Sequence, residues 1–281
     1  MAFIWKLKSD KNFLVMKTFR ILGMALFAIL LCVNLVACGG SDEPEVDDES
    51  GVVTNEKKLV EMSIVWSGDE SVTNTFTYDN NNRLISAKHT EFYNGKSHTN
   101  TKKYTWGSGI IIGNDISYNL IDNLIKSTDS ENSGDLCNAT FTYNSSKQLI
   151  TCKDVQDYGT YITTLFWEGN KIIKSTFDNE SSVYTTAISY TNKTCKGYNP
   201  IVIYFIDDLK HLLFAHPELV GMRTNQLPSK AYAKWGDEEE TTEFSYTFTN
   251  DGYIESCTVK ETEVYDGEIY TETTIYTFKW Q

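Results

Sequence analysis

The sequence predicts a mainly β protein: an antiparallel meander of repeated hairpins that forms a curved sheet, half-barrel or open barrel, with one helical insertion at about residues 200–222. Apolar and polar residues alternate from residue 58 onward, which is typical of half-buried antiparallel strands. A hairpin motif recurs within this pattern, and three of the four prolines lie within residues 197–230. We therefore expect one β-rich domain over residues 58–281, interrupted by a helical insertion within 197–230.

Composition and charge exclude several classes of protein. The chain has 281 residues, of which 41% are hydrophobic and 13% aromatic, so it does not have the composition of a disordered protein. A chain of this length buries enough apolar surface to fold without a metal or a disulfide. The formal net charge of −13 argues against binding to the phosphate backbone of a nucleic acid.

The N-terminal segment has the pattern of a bacterial export signal. Lys17 and Arg20 precede an apolar run, and Leu-Val-Ala-Cys at residues 35–38 matches the lipobox. In proteins with that motif the cysteine thiol is diacylglycerated, the chain is cleaved just before the cysteine, and the new N-terminus is usually acylated again. We expect residues 1–37 to be a signal peptide, with Met16 as the true start. Cys38 is then the lipid attachment site, and acyl chains such as palmitate anchor the mature protein in a bilayer. An ordinary secretory peptide with an incidental cysteine is the alternative.

Residues 38–57 form the lipidated cysteine and an acidic flexible tether. Six carboxylates lie between Asp42 and Glu49, next to glycine, serine and proline. The segment resembles the acidic export signal of Bacteroides-type surface lipoproteins, which implies a lipid-anchored outer-membrane protein displayed on the cell surface. A plain linker on the periplasmic face is the alternative.

The strand region repeats a short hairpin motif. Two aromatic residues separated by one residue precede four or five turn-forming polar residues and an aliphatic pair, as in FTYNSSKQLIT at residues 141–151. Similar segments occur at residues 76–86, 165–175 and 246–256. The aromatic anchors of these hairpins either face a ligand or belong to the core, where strand aromatics usually lie; they are Tyr78, Trp106, Tyr143 and Trp167.

The proline-rich insertion has helical spacing. Asn199 and Pro200 are typical of a helix start, and Leu209, Leu212 and Leu213 follow on one helical face. We expect a helix over residues 201–214 that packs into the concave face of the sheet as a plug or movable lid. The three leucines would point inward, whereas Asp208 and Lys210 would point outward. A second short turn would end at a glycine, at residue 221.

The hairpin motif YDNNNRLI and the segment HPELVGMRTNQLPSK resemble an uncharacterised family of Bacteroides-type lipoproteins. Those proteins carry a domain of unknown function that is described as porin-like in fold. The hairpin motif also resembles the YD repeats of wall-associated and toxin proteins. The resemblance implies a curved antiparallel sheet, and it implies no activity.

Residue patterns for metal or cofactor chemistry are weak, so we assign no catalytic residue, metal or cofactor. Asp207 and His211 stand at helical spacing, but a surface helix with one histidine explains them more simply. Residues 129–140 begin like a calcium loop, yet Thr140 stands where that loop needs a glutamate. The four histidines are scattered along the chain: His89, His98, His211 and His216.

One pair of cysteines is a candidate for a disulfide. Pairing Tyr143 with Gln148 would place Ala139 opposite Cys152, with Cys137 as its diagonal neighbour. A bridge between Cys137 and Cys152 would need a bulge or twist to shorten the gap. Free, buried thiols are the favoured alternative, because the core does not need a disulfide.

The sequence leaves two main classes of function. We favour a non-enzymatic binding module that is presented at the outer membrane or cell surface and holds a hydrophobic or glycan ligand in the concave face of its sheet. The alternatives are a glycan-processing hydrolase with an unidentified carboxylate pair, or a structural surface protein. The expected partners are the lipid bilayer and such a ligand, and nucleic acid is not expected.

Overall fold

A computed structural model describes residues 56–66, 70–114, 116–130, 138–156, 159–205, 211–235, 238–265 and 267–281. The export signal, Cys38 and most of the acidic tether lie outside these residues. The described residues form 17 strands. The strands are β1 (Leu59–Val65), β2 (Ser71–Tyr78), β3 (Leu84–Tyr93), β4 (Lys96–Lys103), β5 (Thr105–Gly107), β6 (Ile110–Ile112), β7 (Ser117–Ile121), β8 (Leu124–Asp129), β9 (Ala139–Tyr143), β10 (Leu149–Gln156), β11 (Gly159–Glu168), β12 (Lys171–Asp178), β13 (Val183–Thr194), β14 (Gln226–Trp235), β15 (Glu238–Phe248), β16 (Ile254–Tyr265) and β17 (Glu268–Trp280).

The strands form one antiparallel sheet that closes on itself almost completely. Strand β1 pairs with both β2 and β17, so the last strand returns to the first. Strand β5 follows β4 after Tyr104, whose N–H group donates a 2.9 Å hydrogen bond to the carbonyl of Ile85 in β3. Strands β8 and β9 share the single pair Ser127 and Thr140. The predicted meander is confirmed, and it forms a nearly closed barrel-like sheet.

The core lies inside this barrel. In β2, the buried residues Val72, Asn74 and Phe76 alternate with Thr75 and Thr77, which are exposed on the outer face. The same two-residue period repeats in the other long strands, because successive side chains of a strand point to opposite faces. Among the described residues, no helix is long and apolar enough to span a membrane.

A β-bulge explains the recurring hairpin motif. In six strand pairs the register shifts directly after a fully buried aliphatic residue, for example between Leu149 and Thr151 in β10. Such a bulge disrupts the ladder, and a buried carbonyl without a partner is costly. An aromatic side chain donates a hydrogen bond to each of these carbonyls. The donor and acceptor pairs are Tyr78 and Leu59, Trp106 and Leu84, Tyr143 and Ile125, Trp167 and Leu149, Tyr190 and Ile172, and Trp280 and Ile254.

The helical insertion has the second short turn that the sequence predicts, which ends at Gly221, but it differs from the predicted long helix before that turn. It contains a 3-10 helix at Pro200–Phe205, a four-residue α-helix, α1, at Leu212–Ala215, and a second 3-10 helix at Pro217–Val220. The predicted α-helix over residues 201–214 is therefore wrong in its first part. Residues 201–203 are a run of β-branched side chains that are all buried, which suits a short 3-10 segment better than an amphipathic α-helix. The side chain of Asn199 still caps the start, since its Oδ1 accepts the N–H of Ile201 at 3.0 Å.

The insertion belongs to the core at one end of the barrel. Leu212 and Leu213 are 2% and 1% exposed, and the Tyr198 hydroxyl donates a 2.7 Å hydrogen bond to the carbonyl of Phe214. Leu209, Asp208 and Lys210 lie outside the described residues. We call this end of the barrel the apolar end, because it holds the insertion, the aromatic donors and the six bulged strand pairs.

The β9–β10 hairpin has a different register from the one that the sequence predicts. The bulge after Leu149 pairs that residue with Tyr143, so Phe141 lies opposite Cys152 and Ala139 lies opposite Asp154. The expected pairing of Ala139 with Cys152 is therefore wrong by two residues. Cys152 is a free, buried thiol, and burial raises its pKa to about 12. Cys137 lies outside the described residues.

Candidate functional site

The inner face of the barrel changes from apolar to polar along the strands. In β16 the inward-facing Cys257 and Val259 are buried, whereas the next two residues on that face, Glu261 and Glu263, are half-buried. We call this second region the polar end. It is defined by the inward-facing residues Asn74, His89, Glu91, Asp154, Tyr161, Phe177, Tyr184, Glu240, Glu261, Glu263 and Glu272.

Three aromatic rings form a row on one wall of the polar end. Tyr161 of β11 stacks on Phe177 of β12, with ring centroids 5.9 Å apart and an angle of 22° between the rings. Phe177 pairs directly with Tyr184 of β13, and those ring centroids are 6.3 Å apart. All three side chains are half-buried. We call them the aromatic row.

Hydrogen-bonding groups lie beside this row. Asp154 of β10 pairs directly with Tyr161 across the two strands, and the Gln156 side chain donates a hydrogen bond to the Asp154 carboxylate. Aromatic faces next to carboxylate and amide groups can pack against the C–H face of a sugar ring and bind its hydroxyl groups. This wall therefore combines aromatic faces with hydrogen-bonding groups.

A second wall of the polar end carries four glutamates on three neighbouring strands. Glu240 of β15 lies directly opposite Glu263 of β16, and Glu261 of β16 lies opposite Glu272 of β17. Burial, together with the charges of Glu261 and Glu263, holds the pKa of Glu240 well above its usual range. The pKa of Glu263 is also raised, first by burial and then by the charges of Glu261, Glu272 and Glu238.

A histidine pair joins the insertion to the barrel wall. His211, directly before α1, is buried; its Nε2 lies 3.0 Å from Asn74 Oδ1 and 3.4 Å from His89 Nδ1. The other ring nitrogen of His89 lies 2.9 Å from Glu91 Oε1. The interpretation of His211 as part of a surface helix is therefore wrong, and Asp207 lies outside the described residues. In the described part of the chain, no group of three or more His, Cys, Asp or Glu residues is arranged to hold a metal ion.

The other insertion histidine, His216, has a structural position at the apolar end. Its Nε2 accepts the backbone N–H of Leu84 at 3.2 Å, and its Nδ1 donates a 2.7 Å hydrogen bond to Glu218 Oε1. Burial raises the pKa of Glu218, but the hydrogen bond from His216 and the charge of Arg223 bring that pKa below its ordinary value. Both ring nitrogens of His216 therefore connect the second 3-10 helix with the β2–β3 hairpin.

The residues that the sequence predicts as ligand or core anchors gather at the apolar end. Trp106 and Tyr78 contact the His216 ring edge to face, with centroids 5.5 Å and 5.8 Å away. Tyr143 and Trp167 also pack against the core, and all four donate to bulge carbonyls as described above. The structure does not place any of these four in the aromatic row.

Comparison with known proteins shows the class of fold. The chain matches no protein-family profile and no curated protein sequence. A porin-like protein from Bacteroides uniformis shares its fold with a TM-score of 0.61 and 18% sequence identity, over 79% of this chain and 98% of that one. A porin-like protein from Bacteroides vulgatus gives a TM-score of 0.54 and 11% identity, over 80% of this chain and 99% of that one. The chain is thus similar in fold to porin-like proteins of Bacteroides.

Proposed function

We propose that this protein is a lipid-anchored, non-enzymatic binding protein of the outer membrane, displayed at the cell surface, that takes a glycan at the polar end of its barrel. The aromatic row is the observation that carries this proposal. Three contiguous half-buried rings on the inner face, next to Asp154, form a surface that suits a sugar better than a purely apolar molecule.

The contents of the barrel support glycan binding over the hydrophobic ligand that the sequence also allows. Ile201, Leu212 and Leu213 of the insertion are almost completely buried, so they already occupy the apolar end. They also support binding over conduction, because channel-forming barrels are polar inside and apolar on the face toward lipid. Here apolar residues fill one end of the interior, while Lys153, Lys260 and other charged residues are exposed outside.

The binding proposal is tested with the full-length lipidated protein, purified in detergent and applied to an array of oligosaccharides. We expect the wild type to bind a subset of them. Phe177→Ala should weaken binding about tenfold, because it removes the central ring of the aromatic row. Phe166→Ala is the matched control, since Phe166 lies on the outer face of β11 and is 38% exposed.

Two outcomes of this experiment would contradict the proposal. Equal losses in Phe177→Ala and Phe166→Ala would place binding outside the aromatic row, and no binding to any oligosaccharide would remove the proposed ligand class. Release of reducing sugar from a bound oligosaccharide would favour the hydrolase instead. The carboxylates Glu240 and Glu263 would then be its candidate pair, because a raised pKa suits a general acid.

The lipid anchor has a separate test. Metabolic labelling with a palmitate analogue should mark the wild type in the membrane fraction and leave Cys38→Ala unlabelled, because the lipobox cysteine is the only site that the export signal offers for acylation. Cys137→Ala is the control and should be labelled as the wild type is. A labelled Cys38→Ala protein would contradict lipid attachment at this residue.

A further inference from the structure

The histidine pair that joins the insertion to the barrel wall is not used by the glycan proposal. His89 lies on the inner face of β3, and His211 directly precedes α1. His89 Nδ1 and His211 Nε2 lie 3.4 Å apart, and Asn74 Oδ1 of β2 lies 2.7 Å from the first nitrogen and 3.0 Å from the second. We call these three residues the histidine cluster. Its nitrogen and oxygen atoms converge from three separate elements of the fold.

The hydrogen bonds of His89 favour a cation between these atoms. A neutral imidazole carries one N–H group, and an ionised carboxylate only accepts hydrogen bonds. His89 Nε2 lies 2.9 Å from Oε1 of the exposed Glu91, which assigns the N–H group to Nε2 and a lone pair to Nδ1. That lone pair then faces Asn74 Oδ1, which is also an acceptor. A cation bound between the two atoms replaces their repulsion by attraction.

The spacing of the two nitrogens indicates which cation fits. Two imidazole nitrogens that bind one zinc ion at about 2.0–2.1 Å with tetrahedral geometry lie about 3.3–3.4 Å from each other. The contact between His89 and His211 has this length. Zinc-binding histidines commonly donate their second N–H group to a carboxylate, as His89 does to Glu91. Calcium and magnesium prefer oxygen ligands, so they fit this cluster less well.

The histidine cluster is small and buried. Asn74 is 4% exposed and His211 is 9% exposed, so the site lies away from bulk water. Among the residues that the structure describes, no third His, Cys, Asp or Glu side chain completes a larger metal-binding group. The third protein ligand is therefore the Asn74 amide oxygen. Zinc sites with three protein ligands usually hold water in the fourth position.

We propose that His89 Nδ1, His211 Nε2 and Asn74 Oδ1 bind a zinc ion, with water as its fourth ligand. The ion fastens the start of α1 to strands β2 and β3, because its ligands come from all three elements. The two histidines are 122 residues apart in the chain, so the site forms only when the insertion is packed against the barrel wall. Zinc therefore stabilises the folded protein over the unfolded one.

The test is calorimetric titration of the full-length lipidated protein in detergent with zinc chloride, without a histidine tag and after removal of metal ions with EDTA. We expect saturable binding of one zinc ion to the wild type and a higher melting temperature with zinc. His89→Gln and His211→Gln should each weaken zinc binding at least about tenfold, because each removes one of the two nitrogen ligands. His98→Gln is the matched control, since it removes an exposed imidazole of β4 that is not a ligand.

Each other result overturns the proposal. Zinc binding that is unchanged in His89→Gln and His211→Gln would place the ion elsewhere, and equal weakening in His98→Gln would indicate binding to exposed histidines in general. Absence of saturable binding to the wild type would mean that a proton, and not a metal ion, lies on His89 Nδ1. Circular dichroism shows whether each variant is folded, and the wild type and the other histidine variant decide if one is not. Because no glycan is present, this experiment can fail while the glycan proposal stands.

Discussion

Replacing Gly221 by alanine is expected to lower the free energy of unfolding by about 2–5 kcal/mol, which combines a left-handed backbone penalty with a steric clash. Gly221 ends the second 3-10 helix with φ of +61°, a conformation that residues with a side chain rarely adopt. A Cβ atom added there would lie 2.0 Å from the backbone carbonyl oxygen of Lys147, in the β9–β10 turn. The backbone at Gly221 belongs to the insertion, and the backbone at Lys147 belongs to the turn of the β9–β10 hairpin. Neither segment can move freely to relieve the clash.

Urea denaturation of the wild type and two variants measures this effect. Gly95→Ala is the matched control, since Gly95 has φ of +70° but no atom lies within 4 Å of an added Cβ. The free energy of unfolding of Gly95→Ala should fall only by the left-handed backbone penalty, about 1–2 kcal/mol. The difference between the two variants then reports the close approach of the insertion to the β9–β10 turn. Equal losses in both variants would show that the insertion does not pack against this turn.

Truncating Leu212 to alanine is expected to destabilise the protein by about 2–5 kcal/mol. Leu212 is 2% exposed, at the start of α1, and its side chain packs among the core residues of the apolar end. Removing it leaves a cavity that rigid strands cannot close. Thermal and urea unfolding of the variant should both show the loss.

Ile269→Ala is the control for this second prediction. It removes a similar amount of apolar side chain from β17, but Ile269 is 70% exposed and should be nearly neutral. If Leu212→Ala is as stable as Ile269→Ala, the insertion is not part of the core. The insertion would then act as a lid that opens readily rather than as a plug.

The strand pattern of this protein could be predicted from its sequence because burial alternates with each residue. Phe244, Phe278 and their neighbours show the two-residue period that an antiparallel strand imposes, and the turns carry residues that tolerate positive φ. Near closure of the barrel could not be predicted, because it depends on the pairing of β1 with β17, about 200 residues apart. Alternation within a strand contains no information about its distant partner.

The bulges and the insertion were harder to predict. The aliphatic pair of each hairpin motif is visible in the sequence, but only the structure shows that one member is buried and the next is a bulge, as with Leu84 and Ile85. The corresponding bulge after Leu149 in β10 shifted the register predicted for Cys152. Helical spacing of leucines also predicted one α-helix where burial of the whole run at Ile201, Val202 and Ile203 favours a 3-10 segment.

The polar end was missed for a different reason. In an acidic chain no carboxylate pair stands out, and the sequence does not say which strands are neighbours. A signal was nevertheless present in the sequence. Glu261 and Glu263 continue the alternation that places Cys257 and Val259 on the inner face, so glutamates occupy inward-facing positions of that strand. The aromatic row gives no comparable signal, because Tyr161, Phe177 and Tyr184 meet only through the register of three strands.

In the proposed arrangement, the insertion fills the apolar end while the ligand binds at the polar end. Hydrogen exchange of the full-length lipidated protein, with and without the tightest-binding oligosaccharide of the array, tests it most directly. The ligand should slow exchange in β11, β12 and β13 near Tyr161, Phe177 and Tyr184, and residues 211–222 should remain protected and unchanged. Ligand-dependent exchange in residues 211–222, with none in those three strands, would contradict the account.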